Sequence, residues 1–100
     1  MQELIDKVQE LVAFELERAN TIHPPKFNSM HEAYAVILEE MQEAENEIDS
    51  LKLFMCAMWE HVKSDYDEAI ESLLPSMGCK AIAAAAELIQ VAAMARKARM

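Results

Sequence analysis

Apolar side chains recur every three or four residues over the first twenty positions, a spacing that predicts an amphipathic helix over residues 2–20. The positions that define it are Leu4, Ile5, Val8, Leu11, Val12 and Leu16. Acidic residues predominate on the outer face. The helix must end before Pro24 and Pro25, because proline lacks a backbone donor and disfavours helix in the residue before it.

A second amphipathic pattern begins after a clear helix-start signal. Ser29 and Glu32 fit the S-x-x-E capping box, in which each side chain satisfies a free backbone N–H of the first turn. The apolar stripe that follows contains Tyr34, Ile37, Met41, Ala44, Ile48, Leu51, Phe54, Met58 and Val62. The pattern leaves open whether residues 30–72 form one helix or two, and turn-forming residues favour a break at 49–50 or 63–65.

The C-terminal quarter predicts a turn followed by a strongly apolar helix. Residues 75–78 (PSMG) have the composition of a turn, and the last helix is expected from about Cys79 to Ala98. Apolar side chains occur nearly all round this helix, which is typical of a buried one. Since no stretch alternates apolar and polar residues, we expect a single all-α domain over residues 1–100, a bundle of about four helices.

Length and composition indicate that this domain does not bury a large core alone. The chain has 100 residues, of which 53% are hydrophobic, with one Gly and three Pro. Short chains bury a modest share of their surface. We therefore expect homo-oligomerisation to complete the core, and symmetric dimers are the commonest outcome.

The charge distribution narrows the class of partner. The formal net charge is −9, and all but one of the 18 acidic residues lie within positions 1–75. An acidic body disfavours binding to a nucleic-acid polymer, which requires Lys and Arg to neutralise phosphates. The charged N-terminus does not resemble a signal peptide, and the apolar stretch 81–95 is short for a membrane span. The two cysteines do not have the number or spacing of a disulfide framework. We expect a soluble cytoplasmic protein with no membrane partner.

Two pairs of oxygen-bearing side chains have the spacing of a shared helix face. Glu40 and Glu43 are three residues apart in the second helix, as are Glu87 and Gln90 in the last helix. Glu87 has no Lys or Arg within one turn, and a buried ionised carboxylate without a partner is costly. If the two pairs face each other, their oxygens suit Mg²⁺, Mn²⁺ or Ca²⁺. The alternative is that these glutamates form a solvated acidic face.

The segments HEAYAVILEEMQEAENEI (31–48) and AELIQVAAMARKA (86–98) resemble the phage and bacterial branch of the MazG-like, all-α NTP pyrophosphohydrolase superfamily. That superfamily carries an E-x-x-E pair on one helix and an E-x-x-D pair on a later one. The resemblance implies a homodimer or homotetramer that uses Mg²⁺ (or Mn²⁺) to convert nucleoside triphosphates to the monophosphate and pyrophosphate. The resemblance covers residues 26–48 and 86–98 well and residues 49–78 poorly.

The resemblance also implies roles for individual residues. The metal ligands would be Glu40, Glu43, Glu87 and Gln90, with Gln90 standing where the superfamily has Asp. Glu39 would orient or activate the attacking water, or would act as a further metal ligand. Lys26, Arg96 and Lys97 are the candidates for contacts with the substrate phosphates. The alternatives are that Lys26 is an ordinary solvated loop residue and that Arg96 and Lys97 only complement the negative end of a helix dipole.

The change from Asp to Gln at position 90 leaves a second function open. An amide keeps an oxygen ligand but removes one negative charge, so Mg²⁺ should bind less tightly unless substrate phosphates help to hold it. The alternative to an enzyme is a catalytically inactive helical oligomer that acts as a phage accessory protein or in protein interaction.

Overall fold

The computed structural model describes all 100 residues as three α-helices without strands. Helix α1 spans Gln2–Ile22, α2 spans Met30–Lys63 and α3 spans Asp67–Ala98. The last two helices form an antiparallel hairpin, and α1 packs against α3. The all-α prediction is confirmed.

The prediction of about four helices is wrong for the single chain. Residues 75–78 do not form a turn, because α3 continues through Pro75 and Gly78 without interruption. The partly buried side chains of Leu73 and Met77, one on each side of Pro75, keep the helical spacing of the α2-facing stripe. Continuous packing of α3 along α2 therefore outweighs the local preferences of proline and glycine.

The break between the two long helices lies at one of the two positions that the sequence favoured. Helix α2 ends at Lys63, and the chain reverses through residues 64–66, with Asp65 at a φ of 52°. Asp tolerates this left-handed conformation better than most residues do. Residues 49–50 lie within α2 and do not interrupt it.

One of the two hydrogen bonds predicted for the capping box at the start of α2 is present. The Ser29 hydroxyl accepts a hydrogen bond from the Glu32 backbone N–H at 3.1 Å. The Glu32 carboxylate accepts from the backbone and side-chain nitrogens of Asn28, at 3.2 and 3.0 Å. These bonds fix the loop that carries Lys26 and Phe27 to the start of α2.

The buried core is small and lies where α1 crosses the C-terminal half of α3. It contains Val12, Leu16 and Ala19 from α1 with Ala93 and Met94 from α3. Only nine of the 100 residues are buried. The expectation that the last helix is buried all round is therefore wrong for the isolated chain, where Ile82 is 72% and Leu88 is 44% exposed.

Helix α3 is also long and apolar enough to cross a membrane, judged by length and composition alone. Core helices of soluble proteins pass the same test. Glu87 and Gln90 lie within its apolar part, and charged or amide side chains are costly in a lipid bilayer.

Candidate metal centre and adjoining cavity

The antiparallel pairing of α2 and α3 brings three carboxylates together. One oxygen from each of Glu40, Glu43 and Glu87 lies within 4.8 Å of the others. Glu40 and Glu87 are partly buried and Glu43 is exposed, so the cluster lies at the edge of the helix interface. The i, i+3 spacing on α2 places its two glutamates on one side, and the hairpin places Glu87 opposite them.

No basic side chain compensates this acidic cluster. The ion pairs of the structure lie elsewhere, between Lys7 and Glu10, Arg18 and Glu15, Lys63 and Glu60, and Lys80 and Glu47. Burial, followed by hydrogen bonding to Glu43 and by the charges of its neighbours, raises the pKa of Glu87 to about 7. Burial and the charge of Glu43 also raise the pKa of Glu40. Three carboxylates at this separation favour either a shared proton or a bound cation.

The Gln90 side chain meets the same cluster. In one orientation its amide nitrogen donates to Glu40 Oε2 at 2.5 Å and to Glu87 Oε2 at 3.3 Å. In the opposite orientation the amide oxygen faces these carboxylates. In the first orientation the amide N–H groups find hydrogen-bond acceptors without a metal. In the second orientation the amide oxygen could serve as a fourth oxygen ligand to a cation.

The donor set fits a hard divalent cation. All the groups that converge are carboxylate or amide oxygens, with no nearby His or Cys in the cluster. Mg²⁺ and Mn²⁺ prefer such ligands, and Mg²⁺ commonly combines one or two carboxylates with substrate phosphates.

A cavity of about 430 Å³ adjoins the cluster, between α1, the loop after α1, and the ends of α2 and α3. Glu40 and Gln90 line it next to the cluster. The basic side chains that line it are Arg18, His23, Lys26 and Lys97, and the acidic ones besides Glu40 are Glu15 and Glu32. Glu15 pairs with Arg18, whereas Lys26 and Lys97 form no ion pair. The cavity therefore joins an oxygen-rich cluster to two unpaired lysines, an arrangement that suits a phosphorylated ligand bound with a metal.

Lys97 is the most unusual of these cations. The residue is only 5% exposed, and it forms no ion pair in the structure. Its Nζ lies 4.6 Å from the centroid of the Phe27 ring, a cation–π contact. A buried ammonium without an anionic partner is costly, and an anion in the cavity would supply one.

The structure does not bring every predicted residue to this site. Glu39 and Arg96 are exposed, and neither belongs to the carboxylate cluster or lines the cavity. Lys26 and Lys97 do line the cavity. Sequence reasoning missed Arg18, which reaches the cavity from α1 and binds Glu15 through two hydrogen bonds of 2.9 and 2.6 Å. The only sequence signal was the i, i+3 spacing of that pair.

The chain matches no protein-family model, no curated protein and no solved structure. The resemblance to the MazG-like superfamily thus rests on the two segments described above. In the site itself, an acidic cluster lies beside a cavity whose lining includes Lys26 and Lys97.

Proposed function

We propose that this protein is a Mg²⁺- or Mn²⁺-dependent nucleoside triphosphate pyrophosphohydrolase that works as a homodimer or homotetramer. The observation that carries the proposal is the position of the Glu40, Glu43 and Glu87 cluster beside a cavity whose lining includes the unpaired Lys26 and Lys97. The reaction adds water to the α-phosphorus of the triphosphate. It yields a nucleoside monophosphate and pyrophosphate.

The carboxylate cluster would hold the metal, with the Gln90 oxygen as a further ligand. Held by these side chains, a divalent cation would supply neutralisation of the phosphate charge. Lys26 and Lys97 line the part of the cavity away from the carboxylate cluster. Their positive charges would attract the phosphates of the substrate.

Hydrolysis forms one bond from the water oxygen to the α-phosphorus and breaks the bond from that phosphorus to the oxygen of the leaving pyrophosphate. The water must lose a proton to a nearby base. Glu39 as this base stays a prediction, since its exposed side chain lies outside the cluster and the cavity. Arg96 as a phosphate ligand stays a prediction for the same reason.

The direct test is phosphate release from a panel of ribo- and deoxyribonucleoside triphosphates, with Mg²⁺ or Mn²⁺ and an added inorganic pyrophosphatase. We expect pyrophosphate and monophosphate from at least one of them, and loss of at least ~100-fold in rate for Glu40→Gln and Glu87→Gln, since both variants remove charge that holds the metal. Glu45→Gln is the matched control, because Glu45 is exposed on the same helix. Absence of turnover on the whole panel by folded protein would refute the proposal.

A non-catalytic helical oligomer is the second candidate. The observation that favours it is the Gln90 amide, whose nitrogen satisfies Glu40 and Glu87 without a metal. In this case Mg²⁺ should leave the melting temperature unchanged. A rise of the melting temperature with Mg²⁺ or Mn²⁺ that Glu87→Gln abolishes would exclude this candidate in its metal-free form.

A further inference from the structure

A second cavity adjoins the candidate site, in the groove between α1 and α3. Its volume is about 160 Å³, and most of its lining is apolar. The apolar lining residues are Leu11, Phe14, Ala86 and Ile89. The two polar ones, Glu15 and Gln90, also line the larger cavity of about 430 Å³, so the two cavities meet at these side chains. We call the small cavity the apolar cavity and the large one, which contains Lys26 and Lys97, the lysine cavity.

The two cavities follow one another in a fixed order along the groove. On each helix, one lining residue lies in the apolar cavity, one lies at the junction four positions later, and one lies in the lysine cavity seven positions after that. These residues are Leu11, Glu15 and Ile22 on α1, and Ala86, Gln90 and Lys97 on α3. Because a helix rises about 1.5 Å per residue, the junction lies about 6 Å along the groove from the first set and about 10 Å from the last.

The carboxylate cluster lies at this junction. Glu40 and Glu87 belong to the cluster, and the Gln90 amide lies within hydrogen-bonding distance of both. Lys97 is two helical turns beyond Gln90 on α3. The groove therefore presents, in order, an apolar surface, a set of carboxylates that suits a cation, and two lysines without an ion pair.

That order matches the order of groups in a nucleoside triphosphate that is attacked at its α-phosphorus. The nucleoside is joined to the α-phosphate, and the β- and γ-phosphates follow. With the α-phosphate at the carboxylate cluster, the outer phosphates would lie toward Lys97 and the nucleoside toward the apolar cavity. The opposite placement would set an uncharged nucleoside beside the two lysines. It would also bring the γ-phosphorus, not the α-phosphorus, to the carboxylates.

Phe14 is the side chain of the apolar cavity that suits a nucleobase best. This large aromatic residue lines the cavity and is 65% exposed. It does not belong to the buried core, to which α1 contributes Val12, Leu16 and Ala19. An exposed aromatic ring binds a nucleobase by stacking, and stacking accepts every nucleobase because each has a π-face. The Phe14 ring is therefore available for such a contact.

The polar side chains at the junction already have partners. The Glu15 carboxylate accepts two hydrogen bonds from Arg18, at 2.9 and 2.6 Å. The Gln90 amide faces Glu40 and Glu87. A site discriminates strongly between similar ligands when it offers hydrogen-bonding groups that only one of them satisfies. The apolar cavity offers shape and stacking, so it should discriminate weakly among nucleobases.

We propose that the apolar cavity binds the nucleoside of the triphosphate, with the nucleobase stacked on Phe14 and with little selection among the bases. The inference rests on the proposed function, because the order of the groups follows from attack at the α-phosphorus. It adds a substrate-binding residue on α1 to the carboxylates and lysines of the site. It also sets the substrate class as nucleoside triphosphates irrespective of their nucleobase.

Calorimetry in the presence of Mg²⁺ tests this placement with two ligands. One is inorganic tripolyphosphate, which has no nucleoside, and the other is the α,β-imido analogue of ATP, which is not cleaved between its α- and β-phosphates. We expect Phe14→Ala to weaken binding of the analogue about fivefold or more and to leave the affinity for tripolyphosphate within about twofold. Tyr34→Ala is the matched control, because Tyr34 is an exposed aromatic residue that lines neither cavity. It should leave both affinities unchanged.

A second pair of variants changes the apolar cavity from its other wall. Ala86→Leu fills part of the cavity from α3, so it should weaken binding of the analogue and spare tripolyphosphate. Ala85→Leu is its control, because Ala85 is exposed, precedes Ala86 directly and lines neither cavity. Phe14→Trp keeps an aromatic ring for stacking and should bind the analogue as the wild type does.

The selection among nucleobases gives a separate readout. The α,β-imido analogues of ATP, GTP, CTP and UTP should bind the wild type with affinities within about tenfold of one another. A larger preference for one nucleobase would show that hydrogen-bonding groups read its edge, and it would overturn the assignment of the cavity.

Two further results would overturn the inference. One is unchanged binding of the analogue by Phe14→Ala and Ala86→Leu, and the other is equal weakening of both ligands by these variants with helical circular dichroism retained. Failure of the proposed function is seen separately. If the variants weaken analogue binding as expected but the wild type hydrolyses no triphosphate, only the hydrolysis is refuted. If hydrolysis proceeds and analogue binding does not depend on Phe14, only the nucleoside assignment is refuted.

Discussion

At the scale of single residues, Glu87 carries the clearest electrostatic signature. Its pKa is raised from 4.5 to about 7, chiefly by burial and then by Glu43 and Glu40. A carboxyl whose pKa is raised on folding stabilises the fold at low pH, and this contribution is lost as pH rises through about 7. The free energy of unfolding of the metal-free protein is therefore lower when Glu87 is ionised than when it is protonated.

Glu87→Gln should remove that pH dependence, because glutamine resembles the protonated acid. With EDTA present, the melting temperature of Glu87→Gln minus that of the wild type should grow as pH rises from 4.5 toward 7. Glu45→Gln, exposed on α2, is the control and should show no such growth. A constant difference across this pH range would contradict the assigned environment of Glu87.

Metal binding should depend on the same ionisation. A cation competes with the proton on Glu87, so the affinity for Mn²⁺ should rise up to tenfold per pH unit below about pH 7 and level off above it. Calorimetry in two buffers of different ionisation enthalpy measures the proton released. Mn²⁺ binding with no proton release below this pH would show that Glu87 is not a ligand.

Lys97 provides a test of the cavity without reference to catalysis. Lys97→Met keeps the buried aliphatic stem and removes both a costly unpaired charge and its cation–π contact with Phe27. These two effects have opposite signs, so the free energy of unfolding should change by less than about 1 kcal/mol. Binding of inorganic tripolyphosphate with Mg²⁺ should weaken about tenfold or more, because a buried charge-assisted contact is lost. The control is Arg96→Met, because Arg96 directly precedes Lys97 but is exposed and lies outside the cavity. Equal weakening by both variants would indicate a general charge effect.

At the scale of elements, the continuity of α3 decides the architecture. Pro75 cannot donate to the carbonyl of Glu71, and the ring crowds the preceding turn. The helix nevertheless runs from Asp67 to Ala98, because its α2-facing side chains remain in register on both sides of the proline. The chain has three helices because packing of α3 outweighs the local preference of Pro75 for a helix end.

Replacing Pro75 should show the cost of that override. Pro75 is exposed, so Pro75→Ala leaves no cavity and restores a helical hydrogen bond. We expect stabilisation by about 1–3 kcal/mol in urea denaturation. Pro24→Ala, in the loop after α1, should give no comparable gain. Destabilisation by Pro75→Ala would instead support a turn at residues 75–78.

At the scale of the whole molecule, stability should depend on protein concentration. The isolated chain buries nine residues and no large side chain completely, which is a weak core for 100 residues. If a second copy supplies the missing burial, unfolding and dissociation are coupled, and the melting temperature rises with concentration. Differential scanning calorimetry over a dilution series measures this. A melting temperature independent of concentration, with a two-state transition, would indicate a self-sufficient monomer.

The sequence by itself determined the local features of this protein. Apolar periodicity located α1 and the start of α2, and the Ser29 capping box fixed that boundary. The i, i+3 spacing put Glu40 with Glu43 and Glu87 with Gln90. These are short-range properties, so they follow from helix geometry and need no knowledge of neighbouring elements.

Only the tertiary structure decided what depends on packing between elements. The antiparallel hairpin set Glu87 against Glu40 and Glu43, and the loop after α1 placed Lys26 beside Lys97. Pattern alone could not show that α3 runs through Pro75, since local preferences and packing oppose each other there. Nor could it show which apolar side of α3 stays uncovered, because burial depends on where α1 and α2 pack.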